Sequence, residues 1–254
     1  DHAGNIRIAT TTDGVNTSIL YRDSEKDTFQ NVMTTNFKET FGPLFFTFDN
    51  KNIYAVSNLG RDKTAIVEYD IANKKEVSVL YERNDVDVSG MDYSRLRKVL
   101  TEIFYTTWKL EHKFLDKETE DIYTKLEKKL PGYDVTVVSN DKNEEVFTVS
   151  TSSDRTRGSF YLYEKKSGKL TKLADRSPWL EEKDMAEMKP IEYKSRDGLT
   201  IHGYLTLPKG KDAKNLPVVV NPHGGPWARD MWRFNSEVQF LANRGYAVLQ
   251  MNFR

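Results

Sequence analysis

The sequence predicts a two-part fold: propeller-type β-blades over residues 1–182, followed by the opening of an α/β domain over residues 185–254. Three observations carry that prediction. First, short runs rich in aromatic and β-branched residues alternate with turn dipeptides. Aromatics are 12% of the 254 residues, with 13 Tyr and 13 Phe, a composition that suits strands better than helices. Second, a repeat is visible. Ile53-Tyr54-Ala55-Val56-Ser57 with the later Val67-Glu68-Tyr69-Asp70 resembles Val146-Phe147-Thr148-Val149-Ser150 with the later Tyr161-Leu162-Tyr163-Glu164, at an offset of 93 to 94 residues. That is two units of ~45 residues, the size of a four-stranded blade. An ordinary β-sandwich is the alternative, but the repeat pairs turns as well as strands. Third, the character changes near Met185–Pro190, beyond which apolar runs lose their alternation.

The predicted strands of the first part are Ile6–Thr11, Ser18–Arg22, Leu44–Phe48, Ile53–Ser57, Ala65–Asp70, Val77–Tyr81, Thr101–Trp108, Val135–Ser139, Val146–Ser150, Ser159–Glu164 and Leu170–Ala174. Asp13-Gly14, Asp49-Asn50, Ala72-Asn73, Asn140-Asp141 and Ser167-Gly168 supply the turns. One helix is predicted at Glu118–Leu130. Ile122, Leu126 and Leu130 lie on one face, and Pro131-Gly132 stops it.

In the second part, Ile191–Ser195 and Thr200–Leu207 read as strands joined at Arg196-Asp197-Gly198. Pro217–Asn221 is apolar throughout, which predicts a strand buried on both faces. A helix is expected at Ser236–Arg244, with Ser236 and Gln239 as a capping box, Val238, Leu241 and Ala242 as its stripe and Gly245 at its C-terminal cap. Tyr246–Asn252 returns as a strand, which completes a βαβ unit. The chain opens Asp1-His2-Ala3-Gly4, without Met or a signal-peptide pattern, and stops at Asn252-Phe253-Arg254 just after a strand. It therefore reads as a piece of a longer protein.

The segment that carries chemistry is Asn221-Pro222-His223-Gly224-Gly225-Pro226, between a strand and the helix that returns to the sheet. Consecutive glycines let the backbone turn sharply and expose its N–H groups. Such donors, aimed into a cleft, stabilise an oxyanion. The alternative is a tight Gly-Gly-Pro turn without chemistry, which the flanking strand and helix and the leading His disfavour.

Met188-Lys189-Pro190-Ile191-Glu192-Tyr193, Arg196-Asp197-Gly198-Leu199, Gly203-Tyr204-Leu205, Leu207-Pro208, the His-Gly-Gly-Pro loop and the terminal Asn252-Phe253-Arg254 together resemble the start of the hydrolase domain in prolyl oligopeptidase (S9) family serine peptidases. The match is best to the acylaminoacyl-peptidase and dipeptidyl-aminopeptidase-like branch. It is specific over residues 185–254 and looser over 1–182, where blades agree with that family's β-propeller. The resemblance implies a β-propeller (its C-terminal blades) followed by the N-terminal part of an α/β-hydrolase domain. It implies Gly225 as an oxyanion-hole donor, with His223, Gly224 and Pro226 shaping the loop. It also implies a serine peptidase that hydrolyses short peptides through an acyl-enzyme, with no cofactor and no metal.

The nucleophile of that family sits in Gly-x-Ser-x-Gly, and no two of the 14 glycines here stand four apart. The resemblance puts Ser, Asp and His beyond Arg254, so this chain alone is expected to be inactive. Of the four histidines, His2 is terminal, His112 lies in a charged stretch, His202 is on an early strand and His223 belongs to the loop. Trp227, Trp232 and Phe234 either line a substrate cleft or pack the loop on the sheet. Asp154, Arg155 and Arg157 form either a substrate-facing cluster, with Arg157 as a cleft residue, or a solvated turn. Arg254 either orients groups near the site or pairs structurally at the strand end, and Lys74-Lys75 and Lys165-Lys166 are turn lysines. A non-catalytic propeller binding module with a degenerate tail, or an esterase with the same loop, are the alternative functions.

Composition narrows the partners. Lys plus Arg and Asp plus Glu both total 38, and this neutral balance argues against nucleic acid as a partner. No cysteine is present, which excludes disulfides and thiolate metal sites. Four scattered His make a zinc site improbable. No apolar run reaches the ~18 residues of a membrane segment. A peptide substrate is the expected partner, self-association into a homo-oligomer stays open, and cytoplasmic and periplasmic or secreted locations both fit.

Overall fold

The computed structural model describes residues 1–225 and 228–253. Among them are five β-sheets and two α-helices, neither long and apolar enough to cross a membrane. The chain divides into two compact units, Asp1–Glu120 and Asp121–Arg254.

The first unit is built of three antiparallel meanders. Strands β1 (Ile8–Thr12), β2 (Thr17–Tyr21) and β3 (Gln30–Thr35) form the first. Strands β4 (Phe41–Phe46), β5 (Ile53–Ser57), β6 (Ala65–Asp70) and β7 (Lys75–Tyr81) form the second, in sequence order. Strands β8 (Val88–Ser94), β9 (Val99–Thr106) and β10 (Leu110–Phe114) form the third. Period-2 patterning explains the core: Ile53, Ala55, Ala65 and Val67 are all buried on strands that pair with each other. The second and third sheets are tied at Thr64, whose hydroxyl donates to Val88 O at 2.8 Å while Val88 N donates to Thr64 O at 3.1 Å. Helix α1 (Lys117–Lys129) then runs across the boundary of the units.

In the second unit, Ile122, Leu126 and Leu130 pack with Val135, Phe147, Val149 and Tyr163. These come from a four-stranded antiparallel sheet of β11 (Asp134–Asn140), β12 (Val146–Ser152), β13 (Ser159–Glu164) and β14 (Lys169–Asp175). A 3₁₀ turn at Glu182–Asp184 leads to the last sheet. It contains β15 (Met188–Lys194), β16 (Thr200–Thr206), β17 (Val218–Val220) and β18 (Ala247–Met251), with helix α2 (Ser236–Asn243) between the last two. Its spatial order is β15-β16-β18-β17; β17 pairs with β18 in parallel and the other pairings are antiparallel.

The repeat seen in the sequence corresponds to matching strands: β5 with β12 and β6 with β13, each the second and third strand of a four-stranded sheet. Three strands carried no readable signal. β3 and β10 are largely polar or charged, and β8 contains Gly90 and Asp92. Gly90 is needed there because a Cβ would meet the Phe104 ring at 2.5 Å.

Two expectations are corrected. Pro217–Asn221 is not buried on both faces: β17 is only three residues long and lies at the sheet edge, with Val218 58% and Val220 52% exposed. Lack of alternation fits an edge strand with one neighbour as readily as a central one. The cap of α2 is Asn235, whose side chain accepts from Glu237 N and Val238 N, and not the Ser236–Gln239 box. Gln239 is buried instead, and its side-chain amide bonds to the Ala186 backbone.

Gly158 fixes the β12–β13 loop. Its φ is 85°, and a Cβ there would stand 1.7 Å from Thr151 O. Gly158→Ala is therefore expected to lower stability by on the order of 2–3 kcal/mol, from backbone strain plus the displaced strand. Urea denaturation followed by circular dichroism measures it; an unchanged midpoint contradicts the packing described.

Candidate functional site

The loop after β17 starts from a fixed point, since Asn221 N donates to Leu249 O on β18 at 2.8 Å. His223 Nδ1 donates to Gly224 O at 2.6 Å, and its ring lies 5.2 Å from that of Phe253. This local bond commits the His223 ring to the backbone of its own loop. Gly224 and Gly225 are exposed, and a Cβ at Gly224 would meet nothing within 4 Å. Among the described residues no hydrogen bond takes up the backbone N–H of Gly224 or Gly225. The loop thus offers donors at the end of a parallel strand, a geometry that can hold a developing negative charge. Pro226, Trp227 and Arg254 lie outside the described residues.

The chain that follows is strapped across the sheet. Asp230 N donates to Asn252 Oδ1 at 2.7 Å, and Asn252 Nδ2 donates back to Asp230 O at 3.2 Å. Gln250 Nε2 donates to Asp230 Oδ1 at 2.7 Å. The buried Tyr204 hydroxyl on β16 is hydrogen-bonded by Arg229 and by the Trp232 backbone, though burial dominates and pushes its phenol pKa up. Trp232 Nε1 donates to Met188 O on β15 at 3.1 Å. Arg229, Asp230 and Trp232 therefore engage β16, β18 and β15. Of the two roles open for Trp232, the bond to Met188 is the packing one.

A second polar junction lies beneath α2. The Gln239 amide accepts from Ala186 N at 2.8 Å and donates to Ala186 O at 2.8 Å and Asp154 O at 3.0 Å. The Asp154 carboxylate accepts from Met188 N at 2.7 Å. Asp154 is only 3% exposed, so it is neither a solvated turn residue nor open to a substrate. Burial raises its carboxyl above the ordinary 3.8, against the lowering effect of the Met188 N–H and Arg155. Arg155 reaches Glu182 at 3.2 Å, and Glu182 also accepts from Tyr133 OH at 2.8 Å. That bond, then burial, pushes the Tyr133 phenol up to about 12. Arg157 is exposed on the same loop. The structure thus separates the predicted trio: Asp154 is internal, Arg155 is ion-paired and Arg157 is at the surface.

Asp230 and Gln250 were not singled out in the sequence, and Gln239 was read only as a capping residue. Gln250 carried a signal: it interrupts the apolar run Ala247-Val248-Leu249 two residues after the buried Val248, where period 2 points it inward. Gln239 follows Val238 in the buried stripe of α2. Asp230, in an irregular segment, carried none.

No family model matches the chain. Dipeptidyl aminopeptidase BIII of Pseudoxanthomonas mexicana is 35% identical over 236 residues, covering 89% of this chain and 33% of its own length. The Porphyromonas gingivalis dipeptidyl peptidase 4 structure superposes with a TM-score of 0.64 at 15% identity, over 96% of this chain and 36% of that one. A prolyl endopeptidase structure gives a TM-score of 0.65 at 15% identity, over 97% and 38%. Homologues and structural neighbours are thus peptidases of the prolyl oligopeptidase (S9) family, and the chain spans about a third of the curated relatives it matches.

The buried carboxyl sets a pH test. A carboxyl whose folded pKa lies above its unfolded value takes up protons on folding, so it costs stability as pH rises from about 4 through the raised value. Asp154→Asn keeps an oxygen for Met188 N and removes that cost. Its stability relative to wild type is expected to rise over that window and then level, as read from urea midpoints between pH 4 and 8. A pH-independent difference contradicts a raised pKa. Asp154→Ala, which leaves Met188 N unpaired, is expected to cost about 1–3 kcal/mol.

Proposed function

We propose that the chain is part of a serine peptidase that cleaves short peptides through an acyl-enzyme. Residues 1–182 would supply blades of a β-propeller, and residues 185–254 the first part of an α/β-hydrolase domain. The observation that carries this reading is the His223-Gly224-Gly225 loop at the end of β17, with exposed glycine N–H groups and a β17–α2–β18 unit around it. In an α/β-hydrolase that position supplies one oxyanion donor, and the residue after the nucleophile supplies the other. Gly225 N–H is the donor in this proposal, stabilising the oxygen of the tetrahedral intermediate while a His takes the nucleophile's proton. The sequence holds no Gly-x-Ser-x-Gly, so the nucleophile, Asp and His belong to the remainder of the full-length protein.

The homology to dipeptidyl aminopeptidase BIII supports a peptide substrate. The reading predicts that the full-length protein is labelled by a fluorophosphonate probe and releases the chromophore of a dipeptidyl amide with a burst. The 254-residue chain alone is expected to show neither labelling nor burst. A burst from this chain alone overturns the proposal, as does a full-length protein that resists the probe. Turnover of simple esters with none of peptide amides would instead identify an esterase.

A further inference from the structure

We infer that Asp230 is a positioning residue for the oxyanion loop: it clamps the far end of the Gly224-Gly225 loop to β18 and so fixes where the Gly225 N–H points. The inference rests on the peptidase reading above. Both ends of the loop are tied to one four-residue stretch, Leu249–Asn252, at the end of β18. The near end is held by Asn221 N on Leu249 O, and the far end at Asp230, whose backbone N–H and C=O exchange bonds with the Asn252 amide and whose carboxylate accepts from Gln250. β18 is an inner strand of its sheet, paired on both sides by β16 and β17. Asn252 N also donates to His202 O at 2.9 Å, so the anchor itself is held. Between the ties the loop contains Pro222, Gly224 and Gly225, and glycine backbone has the most freedom to lose. Fixing both ends is what turns that freedom into one direction for an N–H.

The clamp is not optimised for stability. Asp230 Oδ2 and Gln250 Oε1 are buried and have no hydrogen-bond partner among the described residues. Gln250 is 2% exposed. Two such acceptors side by side on bonded partners are costly, and costs of this kind collect where a fixed geometry matters more than stability. An Asn at 230 would keep Oδ1 for Gln250 and replace Oδ2 with a donor. Asn is therefore the conservative variant that separates position from charge.

The test uses the full-length protein, with hydrogen exchange of peptides covering residues 221–232 and steady-state kinetics on a dipeptidyl amide. Asp230→Ala is expected to speed amide exchange in that segment about tenfold with exchange elsewhere unchanged. It should lower kcat by on the order of a hundredfold while KM stays within about twofold. Asp230→Asn should recover most of both losses. Asn252→Ala removes the two bonds to the Asp230 backbone, which Asp230→Ala leaves in place, and should speed exchange in the same segment even if Asp230→Ala fails to fold. Unchanged exchange in Asp230→Ala, or exchange rising throughout the protein with kcat and KM falling together, overturns the inference. Failure of the peptidase reading is distinct: it appears in the wild type as absent turnover, and the exchange measurement still decides whether Asp230 holds the loop.

Discussion

The Gln239 amide is the interaction on which the second unit turns. All three of its hydrogen bonds are buried, two to the Ala186 backbone and one to the carbonyl of Asp154. Through that one side chain α2 is fixed to the segment leading into β15 and to the β12–β13 loop. Asp154 closes the ring by accepting from Met188 N. Each of these groups would lose about 1–3 kcal/mol if left dry and unpaired, so the sheet, the helix and the loop settle as a set. The helix axis is then given before the loop ahead of it is placed. Asn235 caps that helix and the strap from Arg229 to Trp232 ends beside it.

Much of this was readable in the sequence, for physical reasons that differ by element. Ile53–Ser57, Ala65–Asp70 and Ser159–Glu164 appear with the predicted bounds because they are short runs rich in aromatic and aliphatic residues between strong turn signals. Helix α1 lies one residue from its predicted ends because Ile122, Leu126 and Leu130 keep a helical period. β10, with Glu111, His112 and Lys113 in succession, has no apolar face to read. It is a strand because β9 offers it a partner, and backbone pairing is blind to side-chain type. β17 failed in the opposite sense: its three valines gave a clear strand signal, but composition does not state how many neighbours a strand has.

The loop itself was legible and its supports were not. Gly224 and Gly225 announce themselves because glycine pairs have few other uses between a strand and a helix. Asp154 was read as surface because acidic residues on short loops usually are. It is internal because Met188 N needs an acceptor that the sheet does not provide, a fact about residues 34 positions apart. Asp230 is the same case at a separation of 20 and 22 residues from Gln250 and Asn252. Periodicity detects faces of regular elements; it has no access to pairings made by irregular segments.

That asymmetry has a consequence for how such a site works. A backbone donor has no side chain to tune, so its aim is set wholly by what its neighbours are tied to. Here the ties converge on residues 249–252, through the backbone at Leu249 and through side chains at Gln250 and Asn252. Val248 on the same strand is fully buried, so the polar anchors are mounted directly on the core. The stretch Ala247–Asn252 is apolar for packing up to Leu249 and carries its polar anchors at Gln250 and Asn252, so six residues serve both purposes. In the proposed reading, an exposed, glycine-rich donor takes its aim from the strand that anchors the chain on either side of it.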